Sequence, residues 1–484
     1  MADVERQKEE ISSTEKQSGG DSSASEKIWS AGSLRYTFAG LVILFIWLLW
    51  GVFTSSLKDR TIPTTLQLLL KKFKASDLVA GIMMGSLPQI ISIFISPIIS
   101  YKSDRHRGRW GRRIPFLLIP APFAFLSLVG LAYSPRIGLW LHRALGARSP
   151  GESSSIIICL GTFWVLLHLC SVVSGSVLTG FFNDVVPRKF LGRFFALFRV
   201  FSLTAGMVYT WFLMEDIEEQ YAIIFIILGA LYLIGVGTMC FFVREGEYPP
   251  PPPEKTAKGG VLGRFANAVK IYFRDCFSNL YYLRYFLSVA LICIAFQPIL
   301  LFYVFYAKDL GMSTALMGKY FTAQFLLSLL QAYPLGWLAD RFHPIRVTIA
   351  VLALYGFITL LSFFLMDSRV LAFLNVEGLL MVGVIQVFCG TIAGSWSTAT
   401  ASLSPMLLPK MKFATFASAM GICASVGVMC ASVAAGRYFD LINHDYRYIY
   451  LWAFIFTMLS LLALLAVYRK FMALGGQKGY VAPE

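Results

Sequence analysis

The sequence predicts an all-α membrane protein with about twelve transmembrane helices in two six-helix halves. Three observations predict it. Hydrophobic residues fill 57% of the 484 positions and charged residues only 14%, more apolar side chain than a water-soluble fold of this size can bury. Apolar runs of roughly 20 residues, the length a helix needs to cross the hydrocarbon, recur from Tyr36 to Tyr468. Ser103-Asp104-Arg105 after the second run is answered by Ala339-Asp340-Arg341 after the eighth, the mark of a duplicated half.

Taken in order, the first 34 residues are polar, with acidic side chains outnumbering basic ones and no basic-then-apolar leader. Residues 1–35 therefore read as a disordered cytosolic tail. Spans are predicted at 38–58, 77–99, 114–134, 155–178, 191–213 and 222–243, forming an N-terminal bundle over 36–243. Pro249 to Pro253, followed by Lys255, Lys258, Arg264, Lys270 and Arg274, mark a cytosolic linker over 244–282, its later part expected as an interfacial helix. Spans at 283–307, 314–337, 347–366, 374–398, 414–436 and 447–468 form a C-terminal bundle over 283–468, and 469–484 a second cytosolic tail.

The net charge of +15 does not point to nucleic acid, because the basic residues sit between apolar runs rather than on one continuous face. It sets orientation instead, since Lys and Arg accumulate in short cytosolic loops. The second-to-third loop holds Lys102, Arg105, Arg107, Arg109, Arg112 and Arg113, whereas the fifth-to-sixth holds Glu215, Asp216, Glu218 and Glu219 without a base. Both termini are then cytosolic in an inner, or plasma, membrane. The first outside connection disagrees, with Lys58, Arg60, Lys71, Lys72 and Lys74. Cys170, Cys240, Cys293, Cys389, Cys423 and Cys430 lie inside apolar runs without metal-site or redox spacing and read as small packing residues.

Residues 103–115 read SDRHRGRWGRRIP, a turn whose arginines can cap helix-end carbonyls while Asp104 accepts hydrogen bonds. This stretch resembles the SDRTRSRWGRRRPF pattern of the glycoside-pentoside-hexuronide:cation symporter family, a branch of the major facilitator superfamily. The connection FFNDVVPRKFLGRFFALFRVF at 181–201 resembles the corresponding family segment, which ends in a helix-five arginine here matched by Arg199. The resemblance spans about residues 36–468 and implies alternating access, with substrate held near the midplane between the halves. It also implies that Asp104, Arg105, Arg112, Arg113, Asp340 and Arg341 act in gating. The family's coupling carboxylates on helix two are replaced by Ser92 and Ser96, and its acidic residue on helix four by Thr179, so sodium coupling by that route is not expected.

Within the predicted spans, Arg199 is the first substrate-binding candidate, because a membrane arginine normally faces a cavity or partner; snorkelling to the headgroups is its alternative. Gln89, Gln297 and Gln386 offer a donor and an acceptor each to a polyol or to a neighbouring helix, and Gln297 gains from Pro298, which must free a carbonyl. Thr179 completes the polar set, Trp396 can stack a sugar face or pack, and His168 is the titrating group for proton coupling or an interhelical hydrogen bond. No HExxH, phosphate-binding glycine loop or nucleophile elbow is visible, which argues against an enzyme. The expected activity is secondary transport of a small polar solute such as a sugar or glycoside, by symport with a proton or sodium ion or by uniport. An amphiphilic, lipid-like substrate and a non-transporting solute receptor stay open. Expected partners are that solute, a coupling ion and membrane lipids, with no cofactor, metal or nucleic acid, for a monomeric chain.

Overall fold

The computed structural model describes residues 28–248, 272, 274, 276–409, 412–480, 482 and 483. The predicted N-terminal tail lies almost wholly outside these residues, as do most of the linker and its interfacial helix.

Twelve long helices dominate the described residues. In the first half they are α1 (Phe38–Lys72), α2 (Asp77–Arg105), α3 (Ile114–Arg148), α4 (Glu152–Val185), α5 (Arg188–Leu213) and α6 (Ile217–Phe242). In the second they are α7 (Leu280–Asp309), α8 (Thr314–Phe342), α9 (Pro344–Leu365), α10 (Gly378–Leu407), α11 (Phe413–Leu441) and α12 (Tyr448–Ala473). Eleven are long and apolar enough to cross a membrane. The other is α8, whose 29 residues suffice in length but include Lys319, Gln324, Gln331 and Ser328. It belongs with the rest because its polar side chains are spent on neighbours: Gln331 Oε1 accepts from Ser395 of α10 at 2.8 Å and Thr322 meets Thr210 of α5 at 2.6 Å.

The sequence starts these helices where cap residues dictate. Thr37, Ser76 and Ser313 each accept a hydrogen bond from the backbone N–H three residues on, satisfying donors that a first turn leaves free. α3 runs on past 134 to Arg148, and the departure that matters for the site is α1. It runs 35 residues to Lys72 instead of stopping near 58, so Lys58 and Arg60 belong to a helix and not to an outside connection. Lys74, with φ at 56°, makes the turn into α2.

Within the first half α3 packs on α4 and α6, and α1 on α5 and α6; within the second α7 packs on α11 and α12, and α8 on α10. The halves meet through α2 against α11, α5 against α8 and α1 against α7. With an even number of spans both described ends lie on one face, here the terminal face. A short antiparallel hairpin, β1 (Trp29–Ala31) with β2 (Leu34–Tyr36), precedes α1 there and is tied to the end of the first half by Glu247 N–H donating to Ser33 Oγ at 2.7 Å.

On the opposite, far face the halves are bonded together. Lys71 pairs with Asp309 and Lys308 with Glu218, each at 2.6 Å, and Thr314 Oγ1 donates to the Glu215 carbonyl at 3.0 Å. Asp440 of α11 accepts the N–H groups of Asp77 and Leu78 at 2.9 and 3.0 Å, so a carboxylate of one half caps the first turn of α2 in the other. Both α2 and α5 loosen to one π-helical turn, Ile82–Ser86 and Tyr209–Leu213, where they cross the opposite half. The far face is shut.

Candidate functional site

Three consecutive charged residues of α1, Lys58, Asp59 and Arg60, reach the middle of the fold, and Pro63 follows one turn later. Lacking an N–H, Pro63 leaves the Asp59 carbonyl without its helical partner, an irregularity that membrane helices tolerate beside a cavity. Lys58 is 3% exposed at its side chain, and its ammonium is shared among Asp59 at 2.7 Å, Ser171 Oγ at 2.8 Å and the face of Tyr232 at 4.8 Å. Asp59, 61% exposed, fronts open space. Arg60 lies over the ring of Phe325, a residue of the other half, at 5.1 Å.

That space is a cavity of about 840 Å³ between the halves. Its wall combines Lys58, Asp59 and Arg60 with Gln67, Gln89, His168, Ser171, Gln297, Gln324 and Gln386, and with the aromatic faces of Trp164, Phe296, Tyr303, Phe321, Phe325, Tyr355 and Trp396. The far-face bonds lie across it on one side, and the cavity is not fully enclosed.

Five of the sequence-predicted residues meet here: Gln89, His168, Gln297, Gln386 and Trp396. Gln386 donates to Gln324 Oε1 at 3.0 Å while its own Oε1 is buried without a donor. Gln297 donates to Ser432 at 3.0 Å. The carbonyl freed by Pro298 is not a ligand, however: it belongs to Ile294 and accepts the indole N–H of Trp452 at 3.3 Å. Trp396 stands edge-on to Phe296, centroids 5.6 Å apart. His168 Nε2 is buried and unpartnered against Trp164.

Arg199 and Thr179 are placed differently. Thr179 is exposed on α4, three turns nearer the terminal face than His168 and outside the cavity wall. Arg199 stands outside the wall too, with a buried, unpartnered Nε, yet near enough to Arg60 for their charges to interact.

The terminal-face motif forms a lattice. Arg112 and Arg113 both bind Asp184 Oδ2, at 2.6 and 2.7 Å, and Arg113 also reaches Asp104 at 3.1 Å. Asp184 thus pairs with these arginines, whose guanidiniums the motif turn carries across to the end of α4, rather than with its sequence neighbours Arg188 or Arg193. Burial disfavours the Arg112 charge, but the Asp184 hydrogen bond and charge outweigh it and hold the group above its ordinary pKa. Glu245, beyond α6, accepts the N–H groups of Arg112, Arg113 and Ile114 at 2.7–2.8 Å and so caps α3. Arg105 donates to Tyr101, while in the second half Asp340 is exposed and Arg341 lies over Trp337 and Phe342.

The profile of the Major Facilitator Superfamily matches residues 48–405. The chain belongs to that superfamily. Among solved structures, a bacterial homolog of the lysosomal transporter Spinster, inward-facing and unoccupied, is 14% identical, with 89% of this chain and 98% of that one covered at a TM-score of 0.64. A bacterial homologue of the iron transporter ferroportin, inward-facing, gives 14%, 88%, 99% and 0.64, and a D-xylose-proton symporter 13%, 88%, 97% and 0.61. At such identities the likeness is one of fold. No curated protein sequence matches the chain.

As a major facilitator protein, the chain is an integral membrane secondary transporter working by alternating access, not an enzyme. The closed far face and open cavity are one of the two states that such a cycle requires. Lys58, Asp59 and Arg60 went unrecognised as cavity residues because charges at the end of an apolar run look like a loop. The signal that could have found them is the run Thr61 to Leu70, which continues the helical apolar spacing up to the Ser76 cap.

Proposed function

We propose that the chain carries a hydroxylated solute of about glycoside size, and that the structure is its cytosol-open state in the inner, or plasma, membrane. The observation that carries this reading is the central cavity, where amide side chains, aromatic faces and the Lys58–Asp59–Arg60 cluster converge from both halves. Its volume of about 840 Å³ lies in the range of small-molecule pockets. In this reading Gln89, Gln297 and Gln386 bind hydroxyls, Trp396 offers a ring edge or face, and Arg199 and Thr179 act from nearer the cavity mouth.

The SDRHRGRWGRRIP resemblance supports placement in the glycoside-pentoside-hexuronide:cation branch, with Asp104, Arg105, Arg112, Arg113, Asp340 and Arg341 as gating residues. Coupling to a proton or sodium ion would use Asp59, the carboxylate on the cavity wall, with His168 close by. Orientation gains support from α1: with Lys58 and Arg60 inside the helix, only Lys71, Lys72 and Lys74 of the first outside connection remain against the positive-inside rule, and Lys71 is paired with Asp309. A cavity completed within one chain supports a monomer surrounded by lipid.

A second reading, an amphiphilic substrate, is favoured by the aromatic wall. Counterflow in proteoliposomes decides whether transport occurs: solute-stimulated exchange is expected, and saturable binding without exchange would make the chain a receptor.

A further inference from the structure

The charges around the cavity do not balance. Lys58 is satisfied by Asp59, Ser171 and the Tyr232 ring, and this uses the carboxylate that the cavity wall contributes. Arg60 then has the face of Phe325 and its neighbour Asp59, already committed to Lys58, and forms no salt bridge among the described residues. Behind it, Arg199 has a buried Nε without an acceptor and repels Arg60. Three cations face one carboxylate.

Such an excess is tolerable while the cavity is open, because water reaches the exposed Arg60 on its wall. Alternating access requires the terminal face to close over the cavity, and closure expels that water. Buried unpaired charge is among the costliest arrangements in a protein, so occlusion of an empty or neutrally loaded cavity is opposed. An anion bound before closure removes the opposition. Guanidinium is suited to this task, since its planar fork binds carboxylate or phosphate oxygens through two parallel hydrogen bonds. Phe325, on the opposite half, already holds Arg60 at the cavity wall.

We infer that the transported solute is an organic anion, a carboxylate or phosphate on a hydroxylated or aromatic body, whose charged group is taken by Arg60 with Arg199 behind it. The inference rests on the carrier reading above and adds charge selectivity to it. Selectivity arises chiefly at occlusion, so a neutral analogue can bind and still fail to cross.

Three probes sharing one sugar body separate the possibilities in proteoliposome counterflow: phenyl glucoside, phenyl glucuronide and glucose 6-phosphate. Exchange of either anion, with the glucoside at least tenfold slower, is expected, and the better anion identifies the group. Arg60→Gln should lower anion exchange roughly ten- to hundredfold, the cost of a lost charge-assisted hydrogen bond, and Arg60→Lys should restore part of it. Gel filtration confirms that each variant is monodisperse. Faster exchange of the glucoside, chloride exchange without any organic anion, or an Arg60→Gln rate equal to wild type overturns the inference while transport stands. Exchange of none of the three removes the glycoside-sized carrier reading, and the inference with it.

Discussion

His444 Nδ1 lies 2.7 Å from an Asp77 carboxylate oxygen, joining the loop after α11 to the first residue of α2 across the two halves. Tyr446 Oη donates to the same carboxylate at 2.8 Å, and Asp440 caps the helix that Asp77 begins. These groups, with the Lys71–Asp309 and Lys308–Glu218 pairs, hold the far face closed, and the substrate path can open there only when they part.

Asp440→Ala removes both hydrogen bonds to the α2 N-terminus in the closed far face. A lost helix cap costs about 1–2 kcal/mol, equivalent to roughly a five- to thirtyfold shift of a two-state equilibrium. Spin labels at Lys74 and Asn443, in a chain whose eight native cysteines are replaced, should show a larger long-distance population in Asp440→Ala than in its parent. An unchanged distance distribution would mean that the cap does not bias the cycle.

Gly436 tests the same seal sterically. A Cβ there would fall on the backbone of Asp77 and Leu78, and one at Gly81 on the Ser432 carbonyl, so α2 and α11 close only because neither position carries a side chain. Gly436→Leu should hold the far face open and reduce exchange at least tenfold while substrate binding from the far side persists. Wild-type exchange in that variant would show that the helices do not need this approach.

Lys58 and Asp59 form an unequal pair, one buried and one facing the cavity. Asp59→Asn leaves the Lys58 charge with Ser171 and a ring, and should lower stability by about 1–3 kcal/mol. Adding Lys58→Met should recover most of that loss, because an apolar side chain of similar length needs no counter-charge. Transport should fail in both. Unfolding midpoints in detergent give the comparison, and a double variant no more stable than Asp59→Asn would show that the pair does not govern stability.

The contrast between α1 and the other helices shows what hydropathy can read. Apolar runs located the membrane helices because lipid-facing positions must be apolar along their whole length. The same measure ended α1 at Lys58, since a charge turned inward to a cavity and a charge in a loop lower it equally. Asp184 has Arg188 and Arg193 nearby in sequence, yet its partners Arg112 and Arg113 lie more than 70 positions away and meet it only through packing. The glutamines were visible as polar residues in apolar runs. Which of them face the cavity depends on helix rotation, and that is set by contacts made in three dimensions.

Pro298 shows how a local rule can hold and still mislead about a site. Proline frees the Ile294 carbonyl as expected, but Trp452 of α12 supplies a donor, so the break is repaired inside the second half instead of offered to a ligand. Trp452→Phe should cost about 1 kcal/mol, the low end for an orphaned buried acceptor, because the bond is long at 3.3 Å. Pro298→Ala restores the backbone N–H that would otherwise bond Ile294. In that background Trp452→Phe should cost little beyond lost ring contact, giving a coupling of roughly 0.5–1 kcal/mol in a double-mutant cycle. Stabilities of the four proteins by thermal unfolding supply the cycle. Additivity within about 0.3 kcal/mol would show that the indole packs beside the carbonyl without satisfying it, and Gln297 would regain its place beside a free acceptor.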